Sequence, residues 1–374
     1  MPSSITYGTL FEQLPLEILP IVIHHLGPKD TNTCIMVCKF WNNIFKDNVC
    51  WKSFNKDYKF IQADELLKEN DAHLFRIKDM AIRKNIAQGK HQSYSQSLRT
   101  LKKEFKEKSF SYLGRWGNNA IVHLTDWSTT KLIVTNGKTS EFLDCGPHAI
   151  CQVMEFNNML LASTTNGKIV ELKKNNSPRL FYDGTNSITD MSVFLDDVLL
   201  ATKTDKNLRI NDKLLIIDET GKEILEKPIN FSRFLVIKDR IVILKDCSIG
   251  FYDKNLEFLK DEPHYQALNG TELYLYDDQV VIKNWIFSSV TILKNGEPEI
   301  LNPLLNHCED LVFNQNFVAL KSSDTVSTII SYGDVNSIKF NKKNFEISFR
   351  NILFIGGRIF MLGKNNLHVL DFTS

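Results

Sequence analysis

The residues best equipped for chemistry near the start of the chain are His24 and His25, followed by Cys34 and Cys38. Imidazole and thiolate are zinc ligands, and a tetrahedral site takes four of them. Cys34 and Cys38, however, share one face of a helix, where a thiol packs as a small apolar group. No Cys-x-x-Cys occurs, and the seven cysteines, at 34, 38, 50, 145, 151, 247 and 308, are an odd number spread through a long chain. That spread suits reduced thiols in cytosol or nucleus better than a disulfide framework. For phosphate, Gly137-Lys138-Thr139 matches the end of a phosphate loop, but Leu132 stands where its first glycine belongs. Asn136-Gly137, Asn166-Gly167 and Asn295-Gly296 read instead as hairpin turns. Neither G-x-S-x-G nor H-E-x-x-H occurs, and the nine histidines are dispersed. The expectation is a chain with no catalytic residues, no metal and no cofactor.

Composition narrows the partners. The chain has 374 residues, 43% of them hydrophobic, with 45 Lys and Arg against 44 Asp and Glu, a formal charge of +1. Bulk charge therefore gives no basis for nucleic-acid binding. The chain is too apolar to be wholly disordered. The greasiest stretch, Leu14 to Leu26, contains Glu17, His24 and His25, so it is not a membrane helix. The start, Met1-Pro2-Ser3-Ser4, lacks the cationic and apolar regions of a secretory signal. A soluble intracellular protein is expected, with neither nucleic acid nor membrane as partner.

The elements that would position any site divide near residue 110. Before it, apolar residues recur at helical spacing, as in Ile18, Val22 and Leu26 or Ile35, Cys38, Trp41 and Phe45. Charge divides there too: residues 1–109 hold 17 Lys and Arg against 12 Asp and Glu, and the remainder 28 against 32. After it, short aliphatic runs follow turn signals: IVHL from Ile121, MLLAS from Met159, VLLAT from Val198, IVILK from Ile241, VVIK from Val280, FVALK from Phe317 and IFML from Ile359. Their starts lie 37 to 43 residues apart, the period of a four-stranded propeller blade. A fully aliphatic second strand suits a blade covered on both faces by its neighbours. The last unit stops at Leu367–Phe372 without room for a fourth strand, which predicts that the ring closes with a segment around Glu104–Phe110. The fold class expected is α + β multidomain: an all-α N-terminal domain at 1–56, a helical linker at 57–109 and an all-β, seven-bladed propeller at 110–374.

The first of these domains carries a denser pattern: Leu14-Pro15, Glu17-Ile18-Leu19, Leu26, Pro28, Asp30, Val37-Cys38-Lys39, Trp41, Asp47 and Trp51-Lys52. This resembles the F-box. Pro20 and the pair Thr31-Asn32 depart from positions that are usually aliphatic. Physically, Leu19, Val22 and Leu26 form one apolar stripe, and a helical piece of this size has a marginal core that a partner can complete. Residues 80–89, MAIRKNIAQG, look like the basic helix with an Asn-x-x-x-Gly ending that precedes the propeller in F-box/WD-repeat proteins, although Ile86 stands where that family has Trp. The blades lack a clear Gly-His and Trp-Asp signature and look like diverged WD-type repeats.

The resemblance implies a substrate receptor of an SCF-type cullin-RING ubiquitin ligase, a non-catalytic subunit in the cytoplasm or nucleus, or in a host cytosol if pathogen-encoded. Its partners would be the Skp-family adaptor, through it the cullin-RING ligase, and a protein target, phosphorylated or not. Adaptor contacts would fall on Leu14, Pro15, Ile18, Leu19, Leu26, Val37, Cys38, Trp41 and Trp51. Target contacts would fall on propeller loops, with Trp127 and Trp285 as anchors and Arg209, Arg233 and Arg350 as a cluster able to read phosphate. The other reading is a propeller scaffold acting outside ubiquitin transfer.

Overall fold

The structure is a computed structural model that describes residues 72–98, 109–125, 130–146, 149–157, 159–173, 176–195, 198–204, 211–245, 248–263, 271–276, 278–284, 289–294, 297–314, 317–323 and 327–373. By contact density the chain divides into two units, Met1–Gln92 with Asp371–Ser374, and Ser93–Leu370.

In the first unit, helix α1 spans Ala72–Gln88. Arg83 donates to the buried Asp79 carboxylate at 2.7 Å, one turn away. The helix ends because Gly89 takes φ +67°, a left-handed value that costs glycine nothing. Gly89 N–H then donates to Ile86 O and Lys90 N–H to Asn85 O, which satisfies carbonyls of the last turn. Asn85 Nδ2 donates to Phe372 O at 2.9 Å, and the His91 ring lies 5.7 Å from that of Phe372. The Asn-x-x-x-Gly ending thus has a physical content: the Asn holds the Phe372 carbonyl, and the Gly stops the helix.

In the second unit, seven four-stranded sheets follow one another along the chain. They are β2–β5 (Ser109–Asp144), β6–β9 (Ile150–Asp183), β10–β13 (Ser187–Phe231), β14–β17 (Arg233–Pro263), β18–β21 (Thr271–Ile300), β22–β25 (Asp310–Phe345) and β26–β28 (Phe349–Asp371). The last of these takes its fourth strand, β1 (Gln92–Ser97), from the other end of the chain. First strands touch in the order β2, β6, β10, β14, β18, β22, β26 and back to β2, which closes a ring: the fold is a β-propeller.

Tight turns between first and second strands recur because each offers a residue that accepts positive φ: Gly117, Asn157, Leu195, Lys238, Asp278 and Gly356 lie between +46° and +62°. The second strands are aliphatic because both faces are covered. Leu160 and Ala162 of β7 pack toward Ile121 and Leu132 of the preceding sheet, whereas Leu161 packs toward Met191 and Leu215 of the following one. Ile241 and Ile243 of β15 face one neighbour and Val242 and Leu244 the other. Third strands end on an aspartate in three sheets, and in a fourth the aspartate, Asp253, follows the last strand residue. Asp218, Asp253, Asp334 and Asp371 each accept a backbone N–H two residues on, at 2.8 to 2.9 Å. The Thr220 hydroxyl and backbone donors hold the Asp218 carboxyl below the usual range.

The expected closing strand at Glu104–Phe110 is corrected. Ser109 and Phe110 instead open β2, and Gln92–Ser97 closes the ring. Segment 57–109 is therefore not helical throughout. Leu98 N–H donates to Asn365 O and Ser95 stands opposite His368, so β1 runs antiparallel to β28. β1 also reaches the first sheet: Gln96 Nε2 donates to Ser140 Oγ at 2.5 Å, and Thr135 Oγ1 to Gln96 Oε1 at 3.0 Å. Leu98 is fully buried with Val122, Ile133, Phe360 and Val369. The polar face of β1, QSYSQS, gives it no alternation to recognise.

Candidate functional site

Where the first strands begin, charged side chains collect. Counted from the strand start, the fifth residue of each second strand is His123, Ser163, Thr202, Leu244, Lys283, Lys321 and Leu362, and all seven are buried. In six of these strands the three residues before it are buried in the inter-sheet core, and a long side chain at the fifth position reaches the next sheet. The two lysines use that reach. Lys283 Nζ donates to Glu309 O at 2.6 Å and lies 3.7 Å from Glu272 Oε2. Lys321 Nζ donates to Phe349 O at 3.1 Å and Arg350 O at 3.2 Å, with Glu309 Oε2 at 3.4 Å. Each ammonium thus ties the end of one sheet to the first residues of the next.

Three carboxylates surround them. Glu272 accepts the Tyr274 hydroxyl at 2.6 Å, and burial, reinforced by Glu272, pushes the Tyr274 phenol up. Asp310 accepts Ile352 N–H at 3.4 Å. Burial raises the Asp310 carboxyl above its ordinary range, with Lys321 and Lys283 pulling the other way. Cys308, beside it in sequence, is pushed by burial to about 11, so its thiol stays protonated at neutral pH and is a poor nucleophile.

Farther round the ring, Asp190 on β10 is also raised by burial and is partly offset by Arg233 on β14. Gln152 on β6 exchanges hydrogen bonds with the Met191 backbone, donating to Met191 O at 3.2 Å and accepting its N–H. The rim is therefore a chain of charged and amide groups fixed by backbone partners, suited to presenting a patterned polar surface to a large ligand. Among the described residues no cluster of three His, Cys, Asp or Glu could hold a metal ion. Nor is any described helix long and apolar enough to cross a membrane.

Of the residues singled out from sequence, Leu14, Pro15, Ile18, Leu19, Leu26, Val37, Cys38, Trp41 and Trp51 lie outside the described residues, as do Trp127, Arg209 and Trp285. Arg233 and Arg350 are exposed on first strands β14 and β26. These strands are not neighbours: β18 and β22 separate them on one side and β10, β6 and β2 on the other. The residues missed were Lys283, Lys321, Glu309 and Asp310. A signal existed: in VVIK and FVALK, lysine closes an aliphatic run at the same offset from the turn.

Comparison with known proteins adds what the propeller alone does not carry. The F-box domain family matches residues 11–53. An F-box domain precedes a β-propeller in this chain. No curated protein matches the sequence. Among solved structures, the computationally designed Ika8 protein is similar at 17% identity and TM-score 0.50, covering 70% of this chain and 83% of its own. The extracellular domain of BT4673 from B. thetaiotaomicron is similar at 9% identity and TM-score 0.54, covering 76% of this chain and 42% of its own. At these identities the likeness concerns the propeller fold and not what it binds. The F-box, in contrast, is a docking domain, and F-box proteins in general act as non-catalytic adaptors that bind a Skp-type partner.

Proposed function

We propose that this chain is the substrate-recognition subunit of an SCF-type cullin-RING ubiquitin ligase, working in the cytosol or nucleus of the cell that holds the ligase. The observation that carries the reading is an F-box at residues 11–53 on the same polypeptide as a propeller. The F-box would dock on the Skp-family adaptor through apolar residues that include Leu14, Pro15, Ile18, Leu19 and Leu26, with Val37, Cys38, Trp41 and Trp51. The propeller, one blade to each of seven sheets and diverged from the WD type, would hold the target. Aspartates at the end of four third strands, or one residue past it, support that kinship, because the WD dipeptide is one of the periodic motifs of propeller blades.

No bond is made or broken by the chain in this reading. Its contribution is proximity: the target lysine is held near the charged conjugating enzyme, which raises effective concentration. Trp127, Trp285, Arg209, Arg233 and Arg350 are proposed target contacts. The test is reconstitution with purified adaptor, cullin and RING subunit. Cullin co-eluting with this chain only when the adaptor is present supports the reading. Adaptor binding that excludes cullin contradicts it and leaves a scaffold outside ubiquitin transfer.

A further inference from the structure

A cleft of about 560 Å³ opens between the connection that joins β21 to β22 and the sheet β22–β25. One wall is the 3-10 turn Pro303–Leu305 with the residues that follow it, and the other is β24, the start of β25 and the loop between them. The walls are tied together. Asn302 Nδ2 donates to Val335 O and, at 3.1 Å, to Ser337 O, while Asn302 Oδ1 accepts Leu304 N–H at 2.9 Å. Asp334 accepts Asn336 N–H at 2.8 Å and fixes the loop at its base. The cleft is thus preformed, and its volume falls in the range of ligand sites.

Its chemistry is one-sided. Leu320, Phe340 and Cys308 form a buried apolar floor. Lys339 and Lys342 stand exposed at the rim, and among the described residues no Asp or Glu lines the cleft and neither lysine makes an ion pair. His307, also in the lining, holds φ +64°, a left-handed value that histidine adopts more readily than most side chains. Ile338, at the tip of the tied loop, is 98% exposed. A small anion would satisfy the lysines and leave Ile338 in water. A segment with both acidic and apolar side chains covers both.

We infer that this cleft binds an acidic peptide segment of a partner protein, with its carboxylates on Lys339 and Lys342 and an apolar side chain against Ile338. The inference stands independently of whether the F-box recruits a ligase. It is tested with the full chain by fluorescence anisotropy against an array of labelled peptides carrying Asp and Glu around one Leu, Ile or Phe, beside the same array with Asn and Gln for the acids. Acidic members are expected to bind, K339E/K342E to weaken them by about tenfold or more, and Ile338→Ser to weaken them by about fivefold. The control K222E/K254E, exposed lysines outside the cleft, should leave binding unchanged. All these side chains are exposed, so the variants should melt with the unaltered chain. Four results would overturn the inference: no acidic member binding, the amide array binding equally, K339E/K342E behaving as the control, or binding indifferent to Ile338 and to the peptide's apolar residue. The last would mark a general anion site.

Discussion

Lys321 is the residue on which most of the rim turns, since its buried ammonium serves two carbonyls and one carboxylate at once. Removing it takes the ammonium away from the buried Phe349 carbonyl and leaves a cavity at the end of β23. Lys321→Ala is therefore expected to cost about 2–4 kcal/mol, read as a lower midpoint in urea unfolding at unchanged slope. His123 occupies the equivalent position on β3 and has the opposite character. Burial pushes its pKa from 6.5 down to about 4, so the folded chain keeps it neutral. Between those values the unfolded chain takes up a proton that the folded chain refuses. Stability from this residue is complete above pH 6.5, falls as pH drops, and levels off near 4, a loss of about 3 kcal/mol. Asp190 and Asp310, both raised by burial, titrate in the opposite sense. The difference in unfolding free energy between the unaltered chain and His123→Gln, measured from pH 7 to 4, isolates the histidine. A flat difference would refute the assignment.

At the scale of elements, turns and second strands were legible and the closing strand was not. Each aliphatic run from IVHL to IFML became a second strand, because burial on both faces leaves a continuous apolar signature. The outermost strand β1 faces water along much of its length, so neither period nor composition marks it. Its fixed point is Leu98, one residue past the strand and completely buried. Leu98→Ala should cost about 2–4 kcal/mol and loosen the ring at its seam, seen as faster amide exchange in β28 and β1 than in β15. A turn offers a second check. Gly221 takes φ +86°, and a Cβ there would lie 1.9 Å from Phe181 O in the neighbouring sheet. Gly221→Ala must therefore shift backbone on one side, and a fall in Tm of about 4 °C or more is expected.

Over the whole molecule, the F-box was readable because about a dozen residues must fall in register, a signal far denser than any strand. The propeller was readable from its period. The target-binding surface was not, because loops obey no period and proximity across a ring has no trace in sequence: Arg233 and Arg350 look alike in the chain, yet stand on first strands with others between them. The rim lysines escaped for a related reason, since a lysine ending a strand reads as the solvated edge until the next sheet's carbonyls are seen beside it. The receptor reading is tested most directly by capture of purified Skp-family adaptor by the whole chain beside Leu14→Ala/Pro15→Ala. Adaptor retained by the unaltered chain and lost from the double variant, with equal propeller melting in both, is the predicted result. An unaltered chain that captures no adaptor would contradict it.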